Sequence, residues 1–285
     1  MSLKGIELQH NIDLKKYTTI KIGGMARYFF VAHTLDDLRQ IVNDIGSSFY
    51  VLGRGSNLLI KDGFIETPVI QLGEDFNYIK RNRDDSLEVG ASTPFSVLLK
   101  YCLKDNLGGL ENLVGIPASI GGLLSLNASA FGREVSSCVR RVRIMKKDGT
   151  FKLLSKEQVV FGYRFSSLQG DIILGAEFIL FETPGLKQKA GDLFKKRIAL
   201  QDFSFPSCGC IFKNPFQHKA GFLIDSCGLK GLSRGGACVS PKHANFIINK
   251  GLAAYDDVDY LINKIKECVY KKYGITLEEE IKRWS

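Results

Sequence analysis

The chain has 285 residues, 45% hydrophobic and 24% charged, a composition that fits a folded globular protein of two or three lobes and excludes a disordered or fibrous one. Its 39 basic and 30 acidic residues leave a net charge of +9. The basic residues are scattered as Lys15-Lys16, Lys146-Lys147, Lys195-Lys196-Arg197 and Lys271-Lys272, with no aromatic-interleaved tract, so the excess favours small anionic ligands over nucleic acid.

Seven cysteines without framework spacing read as reduced thiols. Cys208 and Cys210 with Cys227 and Cys238 match no common zinc spacing, so no metal is expected. No apolar run approaches the ~18 residues of a membrane span. Residues 1–7 lack the apolar core of a signal peptide, and a cytoplasmic protein is expected.

In chain order, a strand is expected over residues 28–31. A helix follows, with Leu35, Leu38, Ile41, Val42 and Ile45 on one face and a Thr34–Asp37 capping signature at its start. A buried strand over 49–52 comes next, and 69–72 closes a βαβ-like first lobe. A second lobe opens near residues 87–90. Thr93 as cap and Pro94 as first helical residue start a helix that buries Leu98, Leu99, Cys102 and Leu103, with Gly108 just beyond its end. Residues 141–146 and 150–154, joined through Asp148-Gly149, read as a hairpin, and 172–180 as a further strand. A polar-faced helix over 185–200 leads to the last lobe. There a strand is expected at 211–213, a short helix ending near Gly228, and strands around Val239 and Ile247. A final helix carries Val258, Leu261, Ile262, Ile265, Cys268 and Val269 and stops at Gly274. Sustained βαβα alternation is absent, so the fold class is α+β.

The strand at 49–52 runs into Gly53-Arg54-Gly55-Ser56-Asn57-Leu58. Two glycines around an arginine let the backbone turn sharply and approach a ligand closely. Successive N–H groups then form an anion nest, to which Ser56 and Asn57 add side-chain hydrogen bonds. No Gly-Lys-Ser/Thr follows and no third glycine opens a helix, so this is neither a Walker loop nor a dinucleotide fingerprint. Taken alone, the loop is equally a tight turn between two strands. Two more elements accompany it. One runs from Tyr17 through Gly23-Gly24 to Phe29. The other runs from Gly109 through Gly115-Ile116-Pro117 and Gly121-Gly122 to Asn127.

These three elements together resemble the FAD-binding half of the UDP-N-acetylenolpyruvoylglucosamine reductase (MurB) family. The likeness continues through Tyr163-Arg164, the stretch from Pro206 to Pro215, Ala220 to Asp225, His243 to Asn249, and Leu277 to Ile281, in order over nearly the whole chain. It implies a two-lobed FAD-binding domain of the vanillyl-alcohol-oxidase type (residues 1–75 and 76–195) and a C-terminal α+β substrate-binding domain (196–285). The length, with no tyrosine-bearing insertion after Arg164, resembles the shorter variant of the family. The implied reaction reduces the enolpyruvyl ether of UDP-N-acetylglucosamine to a lactyl ether for peptidoglycan precursors, with NADPH as donor through bound FAD; the flavin motifs contain no histidine or cysteine, so FAD held without a covalent bond is expected. A monomer is expected.

A vinyl ether is electron-rich, so hydride transfer to it requires a polarised carboxylate, and the adjacent carbon must then be protonated. By resemblance Arg164 is the active-site arginine; its guanidinium stays charged and forks onto a carboxylate. Outside the motif it reads as a surface ion pair. Glu280 matches the C-terminal glutamate, the Glu-Ile-Lys step selecting it from Glu278, Glu279 and Glu280; otherwise the run is a solvated acidic face. Cys210 stands where the family has the serine that gives the proton. A thiol, with a reference pKa of about 8.5, also has a proton to give. The alternative is a small buried cysteine, as for Cys102, Cys138 and Cys268.

Lys213 and Asn214 match residues beside the substrate, and Arg197 with Gln201 match an upstream Arg-x-x-x-Gln, although Asp202 replaces the usual proline after it. His243 is a substrate contact or a capped loop histidine. Ala118 replaces the glycine that usually follows Gly-Ile-Pro. The flavin positions implied are Tyr17, Gly53, Arg54, Gly55, Ser56, Asn57, Leu58, Gly115, Ile116, Pro117, Gly121, Gly122 and Asn127. Two other classes remain: an oxidase of the same fold, and a non-catalytic nucleotide- or RNA-binding protein using the +9 charge.

Overall fold

The computed structural model describes residues 6–285; residues 1–5, on which the leader reading partly rests, lie outside the described part. Its contacts gather into two compact units, each assembled from separate stretches of chain. Of the described residues, the first takes 6–10, 28–54 and 67–196, and the second takes 11–27, 55–66 and 197–285.

Met25–Ala32, in the first unit from Tyr28 on, leads into helix α1, Leu35–Ile45. Thr34 Oγ1 accepts the Asp37 amide while the Asp37 carboxylate accepts the Thr34 amide, which is the capping box read from the sequence. The strand Tyr50–Leu52 follows and runs parallel to Val69–Leu72, which in turn pairs parallel with Met25–Ala32. Val69–Leu72 thus completes this lobe by lying between the other two strands, an order that hydrophobic pattern alone does not encode. In the preceding strand Leu52 is buried and Val51 is 37% exposed, so that strand is half-buried.

A five-stranded antiparallel sheet follows in the order Phe151–Ser155, Val139–Met145, Ile172–Phe178, Leu87–Gly90, Ile79–Arg81. Helices α2, Phe95–Lys104, and α3, Ile120–Ser125, belong to the same apolar core, which buries Phe95, Leu98, Cys102, Ile120, Leu124, Val142 and Phe178. Pro94, not Thr93, is the N-cap of α2; the Thr93 hydroxyl donates instead to the Tyr78 carbonyl at 3.2 Å. The helix ends at Asp105 rather than running towards Gly108, because Asn106 takes the left-handed turn at φ +54°. Gly108 lies in the short strand Leu107–Gly108, where a Cβ would come within 2.2 Å of Thr183 Oγ1. Helix α4 spans Leu186–Leu200.

The second unit has an antiparallel sheet in the order Ser207–Cys210, Phe246–Asn249, Ala237–Val239, Ser233–Arg234. Helices α5, Ala220–Ser226, and α6, Tyr255–Tyr273, share its core. That core buries Leu223, Ile247, Leu261 and Ile265 together with Ile20, Ile22 and Leu59 from early in the chain. The strand expected at 211–213 falls instead at Ser207–Cys210, where Gly209 at φ +78° and a register shift bend the chain. Residues 211–213 pair elsewhere, through a bridge between Phe212 and Glu279. Leu58–Ile60 runs parallel to Lys282–Trp284.

Candidate active site

In the second unit the glycine loop is shaped by close approach. Gly55 lies at φ +58°, and a Cβ there would come 2.1 Å from the Tyr17 carbonyl oxygen. The Thr19 amide donates to the Gly55 carbonyl at 3.2 Å, so the turn after Tyr17 clamps the loop. Among the described residues, the amides of Gly55, Ser56 and Asn57 donate to no protein acceptor. Three consecutive free donors, one of them on buried Gly55, fit the pyrophosphate of a dinucleotide.

The Asn57 side chain faces another task than the one expected of it. Its Nδ2 donates to the Glu280 carbonyl at 3.0 Å, and its own carbonyl accepts the Lys282 amide at 2.9 Å. Glu280 in turn donates its amide to the Ile211 carbonyl at 2.8 Å, next to Cys210. Loop, C-terminal glutamate and Cys-Gly-Cys stretch are therefore joined by successive hydrogen bonds, one from the Asn57 side chain and one between backbone groups.

Neighbouring charges distinguish the three glutamates. Glu278, 71% exposed, pairs with Lys213. Glu279 is held by Lys266 and Arg283; burial pushes its pKa up, but the two cations outweigh it and hold the carboxyl below its ordinary value. Glu280 is half-buried beside Ile211. Asn214 Oδ1 accepts the Ala220 amide at 3.0 Å and so fixes the start of α5. Arg197 is buried and its Nη1 donates to Gln201 Oε1 at 3.2 Å. Asp202, in the usual proline position, turns inward to accept the Ser240 hydroxyl at 2.7 Å and the Ser204 amide at 3.0 Å.

His243 is both a loop histidine and a functional candidate. Its amide donates to Ser240 Oγ at 3.2 Å and its ring packs on Phe246 with centroids 4.7 Å apart. Burial lowers its pKa, and Nδ1 has no hydrogen-bond partner among the described residues. A neutral imidazole is a hydrogen-bonding group rather than a cation. Cys208, fully buried, has its thiol pushed up to about 12 by burial, with Cys210 and Glu280 adding to the rise.

The first unit carries the other candidates. Gly53 lies close to Ser119, where a Cβ would sit 2.8 Å from the Ser119 Oγ and require that hydroxyl to shift. Ser119 caps α3 by accepting the Gly122 amide. Its place in Ser119-Ile120-Gly121-Gly122 is an N-cap signal, and it belongs with the site although the motif reading passed it over. Gly115 is left-handed at φ +83°, and Gly121 donates its amide to the Ala91 carbonyl at 2.9 Å. Ala118 is buried, its carbonyl accepting the Phe95 amide at 2.9 Å.

Asn127 is fully buried and its side chain serves the protein: Nδ2 donates to Glu134 Oε2 at 2.9 Å and to the Gly162 carbonyl at 3.1 Å, while Oδ1 accepts the Ser136 amide. Gly162 is the base of a hairpin, Phe161–Gly162 against Phe165–Ser166, with Tyr163 and Arg164 at its tip. Arg164 is half-buried at φ +56°, and its Nη1 donates to Ser129 Oγ and the Ser129 carbonyl, each at 3.1 Å. Asn127 thus positions the hairpin that presents Arg164.

Residues 26–155 match the model of an FAD binding domain, and 201–284 match that of the UDP-N-acetylenolpyruvoylglucosamine reductase C-terminal domain. Those matches and the loop geometry define a flavin-dependent oxidoreductase. The reductase of Clostridioides difficile (strain 630) is 40% identical over 276 residues, covering 94% of this chain and 90% of that one. That of Chlamydia abortus is 37% identical, covering 96% and 94%. The crystal structure of the Thermus caldophilus enzyme superposes with a TM-score of 0.86 at 34% identity, covering 98% of this chain and 99% of that one. The chain belongs to the UDP-N-acetylenolpyruvoylglucosamine reductase family. It is an FAD-dependent enzyme that reduces UDP-N-acetylglucosamine enolpyruvate for peptidoglycan synthesis, with NADPH as co-substrate.

Proposed function

We propose that in this reductase Cys210 gives the proton that completes the lactyl ether, Glu280 steadies the charge that precedes it, and Arg164 polarises the substrate carboxylate. The observation that carries the reading is the run of bonds in the second unit from the Asn57 side chain to the Glu280 carbonyl and from the Glu280 amide to Ile211, which holds the phosphate-cradling loop, the glutamate and the residue beside Cys210 in one hydrogen-bond network. The Glu-Ile-Lys step, which matches the family's C-terminal glutamate, supports Glu280 as the functional member of the three.

Bound FAD supplies the hydride. Gly55, Ser56 and Asn57 would hold its pyrophosphate through their amides; Tyr17, Arg54, Leu58, Gly115–Pro117 and Gly121–Gly122 are the further flavin residues the family likeness implies. Arg164 offers a fixed cation, worth about 3 kcal/mol where a well-aimed charge meets developing anion. Lys213 and Asn214 orient the nucleotide sugar, as do Arg197 and neutral His243. By role, residues 1–75 and 76–195 serve the flavin and 196–285 the substrate. The enzyme acts as a cytoplasmic monomer in cell-wall growth and division; no helix among the described residues is long and apolar enough to cross a membrane.

The test is the pH profile of single-turnover flavin reoxidation by the enolpyruvyl substrate in three proteins. With Cys210 the rate falls on an alkaline limb set by the thiol. Cys210→Ser keeps measurable activity and loses that limb, because the hydroxyl holds its proton. Cys210→Ala drops the rate by about 10²–10⁴-fold with FAD still bound. Alanine working as well as cysteine would remove Cys210 from the chemistry.

A further inference from the structure

In the second unit Asp202 puts a buried carboxylate in the usual proline position, a choice that burial alone disfavours. Burial pushes its pKa up, but the Ser240 hydroxyl and the Ser204 amide outweigh it and hold the carboxyl below its ordinary value. An ionised carboxylate only accepts hydrogen bonds, and each oxygen of Asp202 has a donor: Oδ1 takes the Ser204 amide and Oδ2 the Ser240 hydroxyl. The direction of the Ser240 proton is thereby fixed. Two lone pairs remain on Ser240 Oγ, and they accept the Lys242 amide at 3.1 Å and the His243 amide at 3.2 Å.

The bonds therefore run with one polarity from Asp202 through wholly buried Ser240 into the turn that carries His243. Lys242 Nζ donates to the Ile198 carbonyl at 2.6 Å, so the turn is tied at a second point to the segment just ahead of Asp202. The imidazole at its end packs on Phe246 and lies against Gly221 of α5, where a Cβ would come 3.6 Å from Cε1. Nδ1 has no hydrogen-bond partner among the described residues, so the turn and these packing contacts set the direction of the ring.

We propose that Asp202 is a positioning residue for substrate binding: acting through Ser240, it fixes the turn that aims His243 at the nucleotide sugar. The inference rests on the reading of His243 as a substrate contact. Asparagine has the shape of aspartate without its polarity. In Asp202→Asn the amide nitrogen must face either the Ser204 amide, donor against donor, or Ser240 Oγ, where it displaces the Lys242 or His243 amide. The test uses FAD-loaded Asp202→Asn, Ser240→Ala and their double variant. KM for the enolpyruvyl substrate is expected to rise about tenfold, the scale of one lost hydrogen bond, while reduction of FAD by NADPH is unchanged. The double variant should be no worse than either single one, because both break the same chain of bonds. By NMR the His243 imidazole, its pKa held down by burial, should titrate higher in each variant as the loosened turn lets water reach the ring. Flavin absorbance and melting temperature report folding; should Ser240→Ala not fold, the isosteric Asp202→Asn carries the test alone. An unmoved His243 titration, equal loss in the two half-reactions, or an unchanged KM where His243→Ala raises it would each overturn the proposal. His243→Ala without effect on KM would overturn the reading of His243, and the proposal with it.

Discussion

Arg164 occupies a backbone position that glycine would take more easily. Its φ of +56° at the tip of a two-residue turn carries strain of about 1 kcal/mol or more. Selection for a stable hairpin alone would not place arginine there. Arg164→Gly is therefore expected to hold or raise the melting temperature while the flavin-to-substrate half-reaction collapses. Arg164→Lys keeps the charge but loses the fork, and should slow that half-reaction about 10²-fold. Reduction of FAD by NADPH should change much less in both. Rapid-mixing kinetics distinguish the outcomes; equal loss in the two half-reactions would make Arg164 a structural residue.

At the scale of the element, the glycine loop tests close approach against conformation. Gly46 and Gly55 are both left-handed, at φ +75° and +58°, but a Cβ at Gly46 meets nothing within 4 Å. Gly46→Ala should cost only the backbone term, about 1 kcal/mol in denaturant titration. Gly55→Ala must also displace the Tyr17 carbonyl, so it should lose about 2–3 kcal/mol and most of its FAD. Equal effects would mean that the clamp by Tyr17 is unimportant.

The helices and most strands were legible because their signals are local. The Thr34–Asp37 box and Gly274, at φ +69°, mark helix ends by side-chain and backbone chemistry that needs no distant partner. Non-local choices were not legible. Nothing near Val69 says that it will sit between two earlier strands. Nothing in Asn57 says that its amide will reach residue 280, 223 positions on. Asn127 stands in a flavin motif, yet its burial among Glu134, Ser136 and Gly162 gives it a supporting task. Ser119 carried a readable capping signal, but its closeness to Gly53 comes only from the packed chain.

At the scale of the whole molecule, stability should depend on acid through buried carboxylates. Glu111 is 3% exposed, accepts the Gly109 amide at 2.6 Å and pairs with Lys189 of α4 at 2.6 Å. Burial pushes its pKa up, but Lys189 and the Gly109 amide outweigh it and hold the carboxyl below its ordinary 4.5. A depressed folded pKa means the stabilisation is complete above 4.5 and is lost as pH falls through the folded value. Glu111→Gln should therefore lower the melting temperature at pH 7 and flatten its fall on acidification. Lys189→Ala leaves a buried carboxylate without its cation and should cost about 1–3 kcal/mol, Lys189 being half in solvent. Melting curves between neutral and acid pH decide; an unchanged acid limb in Glu111→Gln would exclude this pair.

The parallel pairing of Leu58–Ile60 with Lys282–Trp284 has a consequence for how the protein is made. Translation delivers the cofactor loop long before the strand that supports it, so the loop waits, unsupported, until Lys282–Trp284 has been made. Ile20, Ile22 and Leu59 likewise have no completed core until the C-terminal residues arrive. Long-range pairing of this kind is slow and leaves apolar surface uncovered in the interval. Nascent chains arrested before Lys282 should therefore fail to take up FAD, while chains extended well past Trp284 should acquire it.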